Sequence, residues 1–174
     1  MVRFLWLVCV LLAVVVVVAC DDDDEDTPSA SPNPAIERYF SDYKAIGDDY
    51  STRIVAVDET YPDAYKGNVQ QTKDAFAAYV TLFDETDENY ARLDVPAELD
   101  DLHQQLSDSN ADISEINHRR LALLASATTA ADVDAIFAED PAYTDAVERG
   151  DTGCLALEEK AADYEIEFDL PCEK

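Results

Sequence analysis

The sequence predicts an all-α fold: a helical bundle of four to five helices with an extended C-terminal tail tied back by a disulfide. Apolar residues recur at helical spacing over long stretches, which is the signature of helices that share a core. No series of alternating strands is present before the last few residues, and glycine occurs only four times in 174 residues, with no glycine-rich loop.

The first helix is predicted to open at Pro34, because proline suits a first turn where its missing amide donor is not needed. Ile36, Tyr39, Phe40, Tyr43, Ile46, Tyr50, Ile54 and Val57 follow at helical intervals. Tyr61-Pro62 closes it, since a residue before proline avoids helical geometry. A second helix is predicted over residues 63–93. Val69, Phe76, Phe83 and Tyr90 recur every seven residues there, with Tyr65, Thr72, Tyr79 and Val80 completing the stripe. The third helix starts at Pro96 and carries Leu99, Leu102, Leu106, Ile113 and Leu124 on one face. Thr128-Thr129 loosens that pattern, and residues 132–138 form a short helix. Asp140-Pro141 opens the last helix, whose stripe is Tyr143, Val147, Cys154, Leu157, Ala161 and Tyr164. Gly150 and Gly153 are expected to interrupt it. Residues 166–172 alternate in polarity and are expected to be extended.

The first 20 residues are of a different kind. Arg3 is the only charged side chain before Asp21, and residues 4–18 are almost wholly apolar. A positive start, an apolar stretch and a small residue before a break describe a secretory signal. The break reads Val17-Val18-Ala19-Cys20. It resembles the lipobox of bacterial lipoproteins, in which the cysteine receives a diacylglyceryl thioether and becomes the mature N-terminus. The resemblance covers about the first 20 residues and implies cleavage before Cys20. The alternative is an uncleaved span, which needs about 20 apolar residues. Either way, Arg3 marks the inside and the acidic segment lies outside. The expected organisation is thus a signal peptide (residues 1–19), a lipidated Cys20 with an acidic, Pro/Ser-rich tether (residues 20–34), and a helical domain (residues 35–174). The expected location is extracytoplasmic, anchored to a cell membrane.

Cysteine usage agrees with export. Cys9 leaves with the signal and Cys20 takes lipid, so Cys154 and Cys172 remain as a pair. In an oxidising compartment such a pair is expected to form a disulfide. Its loop of about 18 residues would stabilise by about 3 kcal/mol in the chain-entropy picture. Zinc would need four ligands, which two cysteines without a suitable histidine pair do not supply.

Charge excludes several functions. The formal net charge is −27, and without Arg3 the remaining 11 basic residues face 39 acidic ones. Such a surface repels phosphate backbones and anionic headgroups, so no nucleic-acid partner is expected. Residues 21–32, which open on an Asp run, lack the glycine at position 6 and the closing glutamate at position 12 of a calcium loop.

Catalytic and metal motifs are sparse. Glu115 and His118 form a Glu-x-x-His element, but a di-iron bundle needs two of these on different helices. Both residues also project away from the apolar stripe. With two histidines on one predicted helix, no nucleophile–base–orienter set stands out. No enzyme activity, cofactor or metal is expected. His118, Arg119 and Arg120 form a basic cluster, in which Arg119 is expected to pair with Glu115 one turn earlier.

The polar positions that matter are Asn110, Asn117 and Arg120, which project among the leucines of the third helix, with His103 at the flank. Unpaired burial of such groups would cost several kcal/mol, on the order of transfer scales. They either form an internal network that fixes helix register or line a pocket in which Arg120 holds an anionic group. The tyrosines at helical spacing are expected in the core, with a groove for an aromatic ligand or a partner helix as the alternative. The leading expectation is a noncatalytic surface module that binds another envelope protein or contributes structurally. A small-ligand or cation-binding lipoprotein using the polar cluster is the alternative, and an enzyme with an unrecognised site is the third. Mass spectrometry of the exported protein is expected to show a chain beginning at a lipid-bearing Cys20 and lacking two thiol hydrogens. Acylation should vanish in Cys20→Ala. A lipid-bearing variant would remove the anchor assignment, and two free thiols under nonreducing conditions would remove the disulfide.

Overall fold

The computed structural model describes residues 33–168 and 170. The signal segment, Cys20, most of the tether and Cys172 lie outside the described residues. Among the described residues there are five α-helices and no strand: α1 (Pro34–Thr60), α2 (Val69–Tyr90), α3 (Asp100–Leu124), α4 (Ala130–Ile136) and α5 (Pro141–Asp163), with a 3-10 turn at Ala97–Leu99 before α3.

Local chemistry sets most of these ends. Asn33 caps α1 by accepting from the Ala35 amide at 3.1 Å, and Pro34 fills the first turn. At α4, Thr129 and Asp132 cap each other reciprocally. The Thr128 and Thr129 amides donate to Asp132 and hold its carboxyl down at about 2. Asp140 caps α5 from Ala142 at 3.1 Å.

The second helix begins later than the sequence predicts, at Val69 rather than Asp63. Pro62 is followed by Tyr65 at φ 59° and Gly67 at φ 93°, a left-handed path that no helix can take. Donors freed by this turn are taken up by α2. The Tyr65 amide donates to Thr72 Oγ1 and the Asp63 amide to Gln71 Oε1, each at 2.9 Å. Asn68 then caps α2 through the Gln71 amide.

Consecutive long helices run in opposite directions. Arg53 and Asp58 of α1 meet Glu85 and Tyr79 of α2. Asp87 and Asp84 of α2 meet Asn110 and Ser114 of α3. Helix α3 is central, packing against α2, α4 and α5. Its closest approach is to α5. Ser109, fully buried, donates to the Ala146 carbonyl at 2.7 Å. A Cβ on Gly150 would stand 2.9 Å from Ser109 Oγ, and one on Gly153 2.9 Å from Leu106 Cδ2. Gly150 and Gly153 therefore do not interrupt α5; they let it lie close to α3.

Apolar burial divides into two clusters. One gathers Ile36, Tyr39, Phe40 and Tyr43 of α1 with Leu99, Leu106, Leu157 and Ala161. The other joins Phe76 and Val80 of α2 to Leu124, Ala127 and Val133. Between them on α3 lie Ser109, Asn110 and Ser114, each hydrogen-bonded. Leu102 and Ile113, expected in the stripe, are half-buried, whereas Ile116 is buried.

The chain reverses after α5. Glu165 sits at φ 58°, its amide donates to Ala162, and the Ile166 amide donates to Ala161. This is a Schellman end with glutamate where glycine is usual. Ile166, Phe168 and Leu170 pack against the first cluster, with the Phe168 ring 4.8 Å from that of Phe40. No helix among the described residues is long and apolar enough to cross a membrane. Gly150→Ala is expected to destabilise the bundle by about 1–2 kcal/mol, because stranding the Ser109 hydroxyl outweighs the helix-propensity gain. Adding Ser109→Ala should recover most of that loss in urea melts, whereas additive effects would disprove the close approach.

Candidate functional site

Polar residues singled out in the sequence do not form one cluster. Helix α3 brings each to a different neighbour, so they divide into two structural contacts and one cleft. Asn110 is tied to Asp87 of α2 at 3.1 Å. His103 lies at the first apolar cluster, where its Nδ1 is 3.1 Å from the Tyr39 hydroxyl. Neither lines the cleft.

Asn117 and Arg120, three residues apart and hence on one face of α3, do line it. The cleft has a volume of about 600 Å³. Tyr50 and Ile54 of α1 and Tyr65 of the α1–α2 turn contribute to its wall. Helix α2 adds Phe76, Tyr79, Val80 and Phe83, and α3 adds Ile113. Phe137, just past α4, and Tyr143 of α5 complete it. Seven of the twelve lining residues are aromatic, and none is acidic.

Arg120 is the single cation of this wall and is only 8% exposed. Its guanidinium carbon stands 4.3 Å from the Tyr143 ring centre and 5.9 Å from that of Phe137. Stacking of this kind is attractive in desolvated surroundings. The guanidinium makes no hydrogen bond or ion pair among the described residues. No sealed side-chain nitrogen or oxygen among them lacks a partner, so the Arg120 donors are open to the cleft. The Asn117 amide is likewise without a hydrogen-bond partner among the described residues. Tyr79 at the wall donates its hydroxyl to Asp58 of α1. Burial first, and then the Tyr143 hydroxyl, push Tyr50 above its ordinary pKa of 10. At neutral pH Tyr50 therefore carries a proton to donate.

Other polar groupings have structural geometry. Asp84 accepts from Ser114 at 2.8 Å and meets His118 at 2.8 Å. A nucleophile relay needs the imidazole in the middle; here the carboxylate occupies it. Glu115 and His118 are both exposed. Arg119 does not pair with Glu115. It reaches Asp140 at 3.0 Å, because the cap of α5 presents that carboxylate beside α3. Among the described residues, no three His, Cys, Asp or Glu side chains come together as a metal site.

Helical spacing puts Tyr143 in the core stripe of the last helix and does not reveal its contact with Arg120. The signal that could have found it is the shortage of cations: an arginine among leucines needs an aromatic face if no acid shares its position. No family model matches the chain, and neither a curated protein nor a solved structure was found to match it.

Burial lowers His103 below its ordinary value of 6.5, against the opposing pull of Asp100 and Asp87. The folded chain thus binds this proton more weakly than the unfolded chain does. Its contribution to stability is complete above about 6.5 and shrinks as pH falls through the lowered value. Urea melts at pH 7.5 and 5 are expected to show a smaller loss on acidification in His103→Gln than in the wild type. Equal pH dependence in both proteins would contradict this.

Proposed function

We propose that the protein is a lipid-anchored, noncatalytic binding protein of the cell envelope that holds a small organic ligand in the cleft at Arg120. The anchor and export rest on Arg3, the apolar run and Val17-Val18-Ala19-Cys20. The acidic, Pro/Ser-rich residues between Cys20 and the Asn33 cap of α1 serve as the tether, their like charges repelling one another.

One observation carries the binding reading. Arg120 is nearly buried, lines the cleft and meets the rings of Tyr143 and Phe137, with no hydrogen-bond or ion-pair partner among the described residues. A buried guanidinium without an acidic partner is costly unless something outside the chain supplies the charge. Ligand sites typically combine an apolar wall of this size with a few convergent polar groups. Binding of another envelope protein, the leading expectation from sequence, has weaker support. The large exposed apolar residues Val55, Tyr65, Leu123 and Leu155 sit on four different elements.

The pairing of Cys154 with Cys172 belongs to the same proposal. Past the α5 turn the tail comes back along that helix, and the Leu170 amide donates to Glu158 Oε1 at 2.8 Å. Leu170, two residues before Cys172 in the sequence, also lines a smaller cavity together with Cys154, which supports the pairing.

A thermal-shift screen of the detergent-solubilised protein against metal ions and small metabolites tests the binding reading. A ligand at 100 times its Kd is expected to stabilise by about 2.7 kcal/mol, a shift of several degrees. Arg120→Ala should remove it. A flat screen across anionic, neutral and cationic compounds would overturn the ligand reading and return partner binding to first place.

A further inference from the structure

The chain has 39 acidic residues against 12 basic ones, yet the wall of the cleft carries one arginine and no carboxylate. Local charge is therefore reversed relative to the rest of the molecule. That reversal selects for an anion and limits its charge. A single guanidinium balances one negative charge, while a second would meet the field of a chain at −27 with no cation to receive it. The donors suit a carboxylate. Guanidinium presents a planar fork matched to two oxygens, and Asn117, one turn earlier on the same face, adds an amide donor. Tyr50 lines the same cleft, and burial keeps its hydroxyl protonated.

The rest of the cleft describes the body of the ligand. Its aromatic residues come from α1, α2, α5, the turn at Tyr65 and the segment after α4, so rings approach from several directions. Ile54, Val80 and Ile113 are the only branched aliphatic residues of the wall. Ring faces and edges favour offset or edge-on contact with another ring. They give a flexible alkyl chain no comparable directional contact.

We propose that the cleft takes a planar aromatic monocarboxylate, with the carboxylate on Arg120 and Asn117 and the ring among the aromatic walls. This rests on the binding reading above and narrows it to one ligand class. A neutral ring lacks the group that compensates Arg120. An alkyl carboxylate lacks the ring, and an aromatic phosphate carries excess charge.

The test is isothermal titration calorimetry of the full chain in detergent, with heats into bare micelles subtracted. The probes are indole-3-acetate, indole-3-acetamide, octanoate and phenyl phosphate. Indole-3-acetate is expected to bind at least about tenfold more tightly than each of the others, the scale of one charge-assisted contact. In Arg120→Gln its advantage over the amide should disappear. Arg120→Lys should keep the preference for the anion but bind it more weakly, which separates loss of recognition from loss of fold, and circular dichroism confirms that both variants are folded.

Equal binding of indole-3-acetamide would overturn the carboxylate assignment. Octanoate binding as well as indole-3-acetate would overturn the aromatic one. Tighter binding of phenyl phosphate would overturn the limit of one charge. Each of those three results leaves a ligand in the cleft, so the binding reading would survive them. Binding of none of the four overturns this inference alone, and only a flat result in the broad thermal-shift screen overturns the binding reading as well.

Discussion

The seat of α5 against α3 organises the molecule. Ser109 is buried without cost because its hydroxyl reaches the Ala146 carbonyl, and the contact is possible because Gly150 leaves room for it. With α5 held there, Tyr143 at its N-terminal end comes to lie under the Arg120 guanidinium. At the other end, the Schellman turn delivers Phe168 to Phe40 and Tyr43. The cleft and the docked tail therefore lie at the two ends of α5, and the close contacts of Ala146, Gly150 and Gly153 with α3 seat the helix between them.

Much of the fold is legible in the sequence because helices announce themselves by period. The α1 boundaries, the break at Pro96 and the start of α5 at Pro141 all follow from proline and capping chemistry that acts within a few residues. The start of α2 is not legible in this way. A tyrosine rather than a glycine takes the first left-handed position, and donors from the turn are satisfied by Gln71 and Thr72, several residues onward. The glycines of α5 mislead for a related reason. Their value lies in what Ser109 and Leu106 do opposite them, some forty residues earlier.

The candidate site is legible only in part. Projection alone places Arg120 and Asn117 on the inward side of α3, which is where they stand. It also groups them with Asn110 and His103, because one helix viewed down its axis does not show which neighbour lies at each level. Asp87 claims Asn110 and Tyr39 meets His103, leaving only the C-terminal half of the face open. The tyrosines divide by the same rule. Tyr39 and Tyr43 are core residues of the first cluster, whereas Tyr50, Tyr65 and Tyr79 line the cleft.

Tyr65 holds a bulky side chain in a backbone region that costs about 1–3 kcal/mol. A glycine there would relieve the strain at once and would suit the turn better. It would also remove a ring from the cleft and the contact with Phe137. Selection for a sturdier bundle and selection for a better-formed cleft thus pull this one position in opposite directions. The persistence of tyrosine, or its replacement by glycine, in sequences descended from a common ancestor would record which pressure has governed each lineage.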